Sequence, residues 1–178
     1  MKITGILLYP RFSEYELSVL LSVLKQGEKE MVTIGLNREL VVGEAGLPCL
    51  PHTDIHQVDL ANLDSLILPG VDDFAHLVDH QELDNFLQKT AEQQFVYGAI
   101  SSAPYFLAKS GLLENVKYTT GLTLEQRNFL GHFNEENYVD APVVTDRHVV
   151  TSKGAYFIDF AFKLGSLLNL KFHQDWYR

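Results

Sequence analysis

The feature that most constrains this chain is an alternation of short, nearly uninterrupted apolar runs with longer amphipathic segments. The runs are Ile3 to Tyr9, Met31 to Leu36, Leu63 to Leu68 and Phe95 to Ile100. Strands covered on both faces lose the in-out alternation of a half-exposed sheet, so these four read as central parallel strands. Helical patterns are predicted at Glu14 to Lys25, Gln81 to Gln93, Pro104 to Ser110, Leu124 to Leu130 and Tyr156 to Leu168. A late hairpin pairs Val143-Val144 with His148 to Thr151 across a polar Thr145-Asp146-Arg147 turn. Strands alternating with helices long enough to cross over imply an open α/β fold with a doubly wound, mostly parallel sheet. No repeat, low-complexity tract or linker divides the 178 residues, so one domain is expected.

Composition narrows the function classes. The formal charge of −9, with no lysine and arginine cluster, argues against nucleic acid and anionic membrane partners. No run approaches the roughly 20 apolar residues of a membrane span. The single cysteine, Cys49, cannot form an internal disulfide, and the start lacks a small-residue cleavage site, so a cytoplasmic location is expected. No metal site is expected, because Cys49 stands alone and no H-E-x-x-H occurs. No cofactor is expected either, since Glu14 and Glu16 would repel phosphate from the loop after the first strand, where a flavin carrier needs it.

In a doubly wound sheet ligands bind at the carboxyl ends of the strands, which selects three loops. After the first strand, Ser13 and Glu16 fit a capping box, and Glu16 can also face the crevice. After the third, Leu68-Pro69-Gly70-Val71 forms a tight turn whose Gly70 and Val71 amides are candidate oxyanion or ligand donors; its plain reading is an ordinary Pro-Gly turn. After the fourth, Ala99-Ile100-Ser101-Ser102-Ala103-Pro104 sets small residues around a hydroxyl between a buried strand and a helix that tolerates Pro104 in its first turn, as a strained elbow requires. Ser102 joins Gly70 and Val71 as a candidate oxyanion or ligand-binding residue, while the simpler reading has Ser101 or Ser102 capping that helix. His52, His56, His76, His80 and His173 read as surface histidines.

The ordered set of these motifs, with Val150-Thr151-Ser152-Lys153-Gly154 opening the last helix, resembles the ThiJ/PfpI superfamily across nearly the whole chain. The resemblance implies a glutamine-amidotransferase-like, flavodoxin-like three-layer sandwich, a reactive cysteine at the elbow, an acid on the first helix, and commonly a homodimer. It puts Ser101 at the cysteine and Glu16 at the acid. Val71 replaces a glycine, and Gly121 follows Thr119-Thr120 where many members have a histidine. The expected function is therefore a non-catalytic or diverged small-molecule-binding or stress-related protein, with a small polar or carbonyl ligand. The alternative is a hydrolase using Ser101 as nucleophile; a glutaminase is weaker, since it too needs the cysteine. Apolar residues on two faces of the first helix, Leu17 to Leu24 with Val19 and Val23, suggest a homodimer, with the aromatic tail Phe172 to Tyr177 as another contact.

Overall fold

The structure, a computed structural model, describes residues 2–178. In chain order the elements are β1 (Ile3–Leu8), α1 (Glu14–Gln26), β2 (Met31–Gly35), β3 (Val41–Val42), β4 (Pro48–Cys49), β5 (Thr53–Asp54), β6 (Leu63–Leu68), α2 (Ala75–Val78), α3 (Gln81–Thr90), β7 (Val96–Ile100), α4 (Pro104–Lys109), α5 (Leu124–Leu130), β8 (Val143–Asp146), β9 (Val149–Ser152) and α6 (Phe157–Leu167). Seven strands form one sheet in the order β5-β2-β1-β6-β7-β9-β8, parallel except for the β8–β9 pair. The four apolar runs all lie inside the sheet, together with β9; burial is near-continuous in β1, β6 and β7, whereas β2 is covered only at Ile34 and Gly35. The chain winds from β1 outward through β2 to β5 and then returns to β6 on the other side, so the order reverses between β1 and β6.

The pleat of β7 shows the two covered faces. Tyr97 points to one side, where its hydroxyl donates to Thr90 Oγ1 on α3 at 2.9 Å. Gly98 points to the other, where a β-carbon would lie 2.6 Å from a methyl of Leu164 on α6. Glycine at 98 thus lets α6 approach the centre of the sheet.

Several local expectations give way to tertiary contacts. Helix α3 stops at Thr90 rather than Gln93, and α6 begins at Phe157 after a 3-10 turn at Gly154–Tyr156. The late hairpin keeps Thr145 and Asp146 in β8 and turns at Arg147 and His148, with Arg147 at φ 54°. The Ser13–Glu16 capping box does not form. Ser13 makes no side-chain cap and instead donates to Glu44 Oε1 at 2.8 Å, while a capping box is present at Thr123 and Gln126. Two-residue strands β3 and β4 pair as a small antiparallel ribbon that the apolar pattern did not announce.

The second apolar face of α1 is largely used within the chain. Val23 is fully buried against α6, where a Cγ lies 2.7 Å from the β-carbon position of Gly165, and Val19 packs on the core. The tail also folds back, since the Tyr177 hydroxyl donates to Ser22 Oγ and accepts from Gln26 Nε2, each at 2.5 Å. The large apolar residues that α1 and the tail leave exposed are Tyr15, Leu21 and Trp176, at 48%, 39% and 70%.

Gly98→Ala is expected to destabilise the protein by about 1–3 kcal/mol, because the added methyl overpacks a core in which Leu164 and Ile67 are fully buried. Urea denaturation measures it; an unchanged midpoint would show that α6 has room to move away.

Candidate functional site

The carboxyl ends of β1, β6, β7 and β9 converge on a cleft of about 420 Å³ lined by Ser13, Tyr15, Glu16, Glu44, Val71, Asp72 and Ser101. It lies where the strand order reverses, the position at which such sheets leave a crevice.

Ser101 follows β7 directly at φ 63°, a left-handed conformation that a residue with a β-carbon seldom adopts. Hydrogen bonds on both sides hold it there. Its N–H donates to Ser152 O at 2.8 Å, and its carbonyl accepts from Gly121 N at 2.8 Å and Thr120 Oγ1 at 2.6 Å. Helix α4 starts three residues later with Pro104 in its first turn and Ala103 as its N-cap, without a side-chain cap. Neither serine caps the helix, so the capping reading fails for both.

Glu16, on the first turn of α1, is only 2% exposed. Its Oε2 accepts from Gly70 N at 2.7 Å, which ties α1 to the turn after β6. Its Oε1 faces two hydroxyls across Gly154: a β-carbon there would lie 2.9 Å from Glu16 Oε1 and Tyr15 OH and 3.2 Å from Ser101 Oγ. Gly154 therefore leaves room for three oxygens to gather. Burial pushes the Glu16 carboxyl up to about 7; the Gly70 amide opposes the rise, Glu44 adds to it, and the Ser101 and Tyr15 hydroxyls oppose it. Tyr15 is itself raised, by burial and then by Glu16.

The turn after β6 corrects the oxyanion expectation. The Gly70 N–H is taken by Glu16, and the Val71 N–H donates to Ser102 Oγ at 2.9 Å while that hydroxyl donates back to Val71 O at 2.8 Å. Both amides are spent on holding the turn. Tyr9 reinforces it by donating to Pro69 O at 2.5 Å, and burial, followed by the nearby Glu16, raises this hydroxyl well above the usual phenol range, so it stays a neutral donor. Among the described residues the Ser102 N–H makes no hydrogen bond within the protein.

Of the residues singled out in the sequence, Glu16, Val71 and Ser101 line the cleft, while Gly70 and Ser102 hold the adjoining turn by bonding to Glu16 and Val71. Sequence reasoning missed Tyr15, Glu44 and Asp72. Tyr15 precedes Glu16 and is held edge-on by Phe157, ring centroids 5.5 Å apart at 90°. Glu44 arrives from the β3–β4 ribbon, for which the sequence carried no signal. No histidine or cysteine lines the cleft. Among the described residues no group of three or more metal-ligating side chains gathers, and no helix is long and apolar enough to cross a membrane.

A doubly wound sheet with a left-handed serine between a central strand and a helix defines an α/β protein with a strained strand-to-helix elbow. The chain belongs to the DJ-1/PfpI family, which it matches over residues 1–166. Among similar sequences, the uncharacterized protease YoaZ of Bacillus subtilis is 26% identical over 93% of this chain and 84% of its own length. Protein DJ-1 homolog A of Arabidopsis thaliana is 25% identical over 79% of this chain and 35% of its own. A DJ-1 superfamily protein from Agrobacterium tumefaciens superposes with a TM-score of 0.87 at 23% identity, over 98% of this chain and 94% of that one.

Glu16 carries more proton in the folded than in the unfolded state between its ordinary 4.5 and about 7. Its contribution to stability therefore falls as pH rises through that window, by about 3 kcal/mol in all, and is constant above it. Urea denaturation from pH 4.5 to 8 is expected to show that decline, and Glu16→Gln, which keeps an acceptor for Gly70, to flatten it. A decline that persists in the variant would place the titration elsewhere.

Proposed function

We propose that the elbow cleft binds a small polar molecule and does not perform thiol chemistry. One observation carries this reading: Ser101 occupies the strained turn, and neither a cysteine nor a histidine lines the cleft around it. By the resemblance, Ser101 stands where relatives have a reactive cysteine, and Gly121 where many have a histidine. Thiol reactivity needs an anion near neutral pH. Interaction with a helix N-terminus is worth at most about 2 kcal/mol, between one and two pKa units, which leaves a serine hydroxyl far from ionised. What remains is suited to binding: the Ser101 and Tyr15 hydroxyls, the Ser102 amide and a carboxyl that is donor or acceptor around pH 7.

A second reading has a specific support. Glu16 faces the Ser101 hydroxyl and titrates at about 7, the range in which a general base works, and two relatives, YoaZ and YdeA of Bacillus subtilis, are called proteases. Deprotonated Glu16 would accept the Ser101 proton as the oxygen attacks. Against it, the Gly70 and Val71 amides are occupied, so a tetrahedral oxyanion would have the Ser102 N–H alone from this set. In the preferred reading the protein works in the cytoplasm, with a homodimer through Leu21 and Trp176 as its assembly and no nucleic acid or membrane partner.

With Cys49 first changed to serine, Ser101→Cys is expected to create a site that iodoacetamide and peroxide modify, while the parent protein neither labels nor turns over methylglyoxal. Turnover by the parent at a rate typical of enzymes, abolished by Ser101→Ala, would reject the non-catalytic reading in favour of the serine enzyme.

A further inference from the structure

The charges that line the cleft are all of one sign. Glu16 sits at its floor, and Glu44 and Asp72 stand exposed at its mouth; no lysine or arginine lines it. A carboxylate group alone is a common surface feature, but here its innermost member is 98% buried and turns Oε1 toward the cleft, where no backbone amide meets it. Three loop amides around the cleft are already answered by carboxylates, while the Ser102 N–H is not. Glu16 takes Gly70 N, and Glu14 takes Ala45 N and Leu47 N. A low-dielectric crevice lined by one sign of charge focuses its field, and the overall charge of −9 adds to it.

Beside the cleft lies a second hollow of about 710 Å³. Glu44 and Asp72 line both, and Leu40, Val42 and Pro10 give the second one an apolar side. Leu40 and Val42 are 61% and 45% exposed, so this shelf is uncovered within the chain. The cation on that shelf, Arg11, is paired with Asp73 at 3.0 Å.

We propose that the ligand of the elbow cleft is an amphipathic primary amine, with its ammonium group among Glu16, Glu44 and Asp72 and its apolar portion along Leu40 and Val42. The proposal rests on the cleft being a binding site and adds the chemical class of what it takes. An ammonium offers three donors to a site whose fixed groups are carboxylates and hydroxyls, and the half-exposed Tyr15 adds an aromatic ring to the lining. A carboxylate or phosphate would meet three carboxylates without a free cation, which disfavours it by charge alone.

The test uses three probes with one carbon chain: hexylamine, hexanol and hexanoate at millimolar concentration, followed by amide chemical shifts of the full-length protein at pH 7.5. Hexylamine is expected to shift Tyr15, Val71 and Ser101, and hexanoate to leave them in place. Glu44→Gln and Asp72→Asn should each weaken hexylamine about two- to fivefold, the range of a solvent-exposed charge pair. Glu92→Gln, the same charge change in the exposed turn after α3, should leave affinity as it was. Hexanol or hexanoate binding as tightly as hexylamine, or equal loss in all three variants, would overturn the ammonium assignment while leaving the cleft a binding site. Failure of every probe to move these amides would remove the binding site and the assignment together.

Discussion

The left-handed backbone at Ser101 is the constraint around which this site is arranged. Such a conformation costs about 1–3 kcal/mol and persists only where the surroundings over-determine it. Here three hydrogen bonds do so, from Ser101 N to Ser152 O and to Ser101 O from Gly121 N and Thr120 Oγ1. They bind the elbow to β9 and to the loop before α5. Holding the serine there brings its side chain against three neighbouring loops, each of which has a glycine at the contact. A β-carbon at Gly70 would lie 2.7 Å from Ser101 Cβ, one at Gly121 3.3 Å from Ser101 Oγ, and one at Gly154 3.2 Å from it. Close approach to the elbow accounts for these small residues.

Glu16 is the second fixed point, and its energetics run against stability. A carboxyl buried to this degree titrates at about 7, so above that pH the fold carries a charge in a poorly solvated place. The Gly70 amide offsets part of this and, in doing so, locks α1 to the turn after β6. The Ser102–Val71 pair of hydrogen bonds locks the same turn to the elbow. The crevice is thus rigid on three sides, and its mobile choice is the proton on Glu16, which decides whether Oε1 meets a ligand as donor or acceptor.

The same network separates what was legible in the sequence from what was not. The elbow was readable as a local pattern, small residues between an apolar run and Pro104, whereas Glu16 read locally as half of a capping box and was placed at the site by the family resemblance. The fates of the Gly70 and Val71 amides were not, because their acceptors are 54 and 31 residues away in the chain. The Ser13–Glu16 capping box failed for a related reason. The local pattern was present, but the two side chains had stronger tertiary claims, Ser13 on Glu44 and Glu16 on Gly70.

By itself the sequence determined the sheet and its winding, since buried strands need continuous apolar runs and the segments between them are long enough to cross over. It also determined that the elbow carries a hydroxyl and that no second cysteine exists to replace it. Tertiary structure alone decided the polarity of the cleft. Glu44 reaches it from a ribbon of two-residue strands too short for any periodicity, and Tyr15, Glu16 and Ser101 share a recess because Gly154, more than 50 residues beyond Ser101, adds no side chain between them. Such convergence depends on the register of separate strands, which no local pattern records.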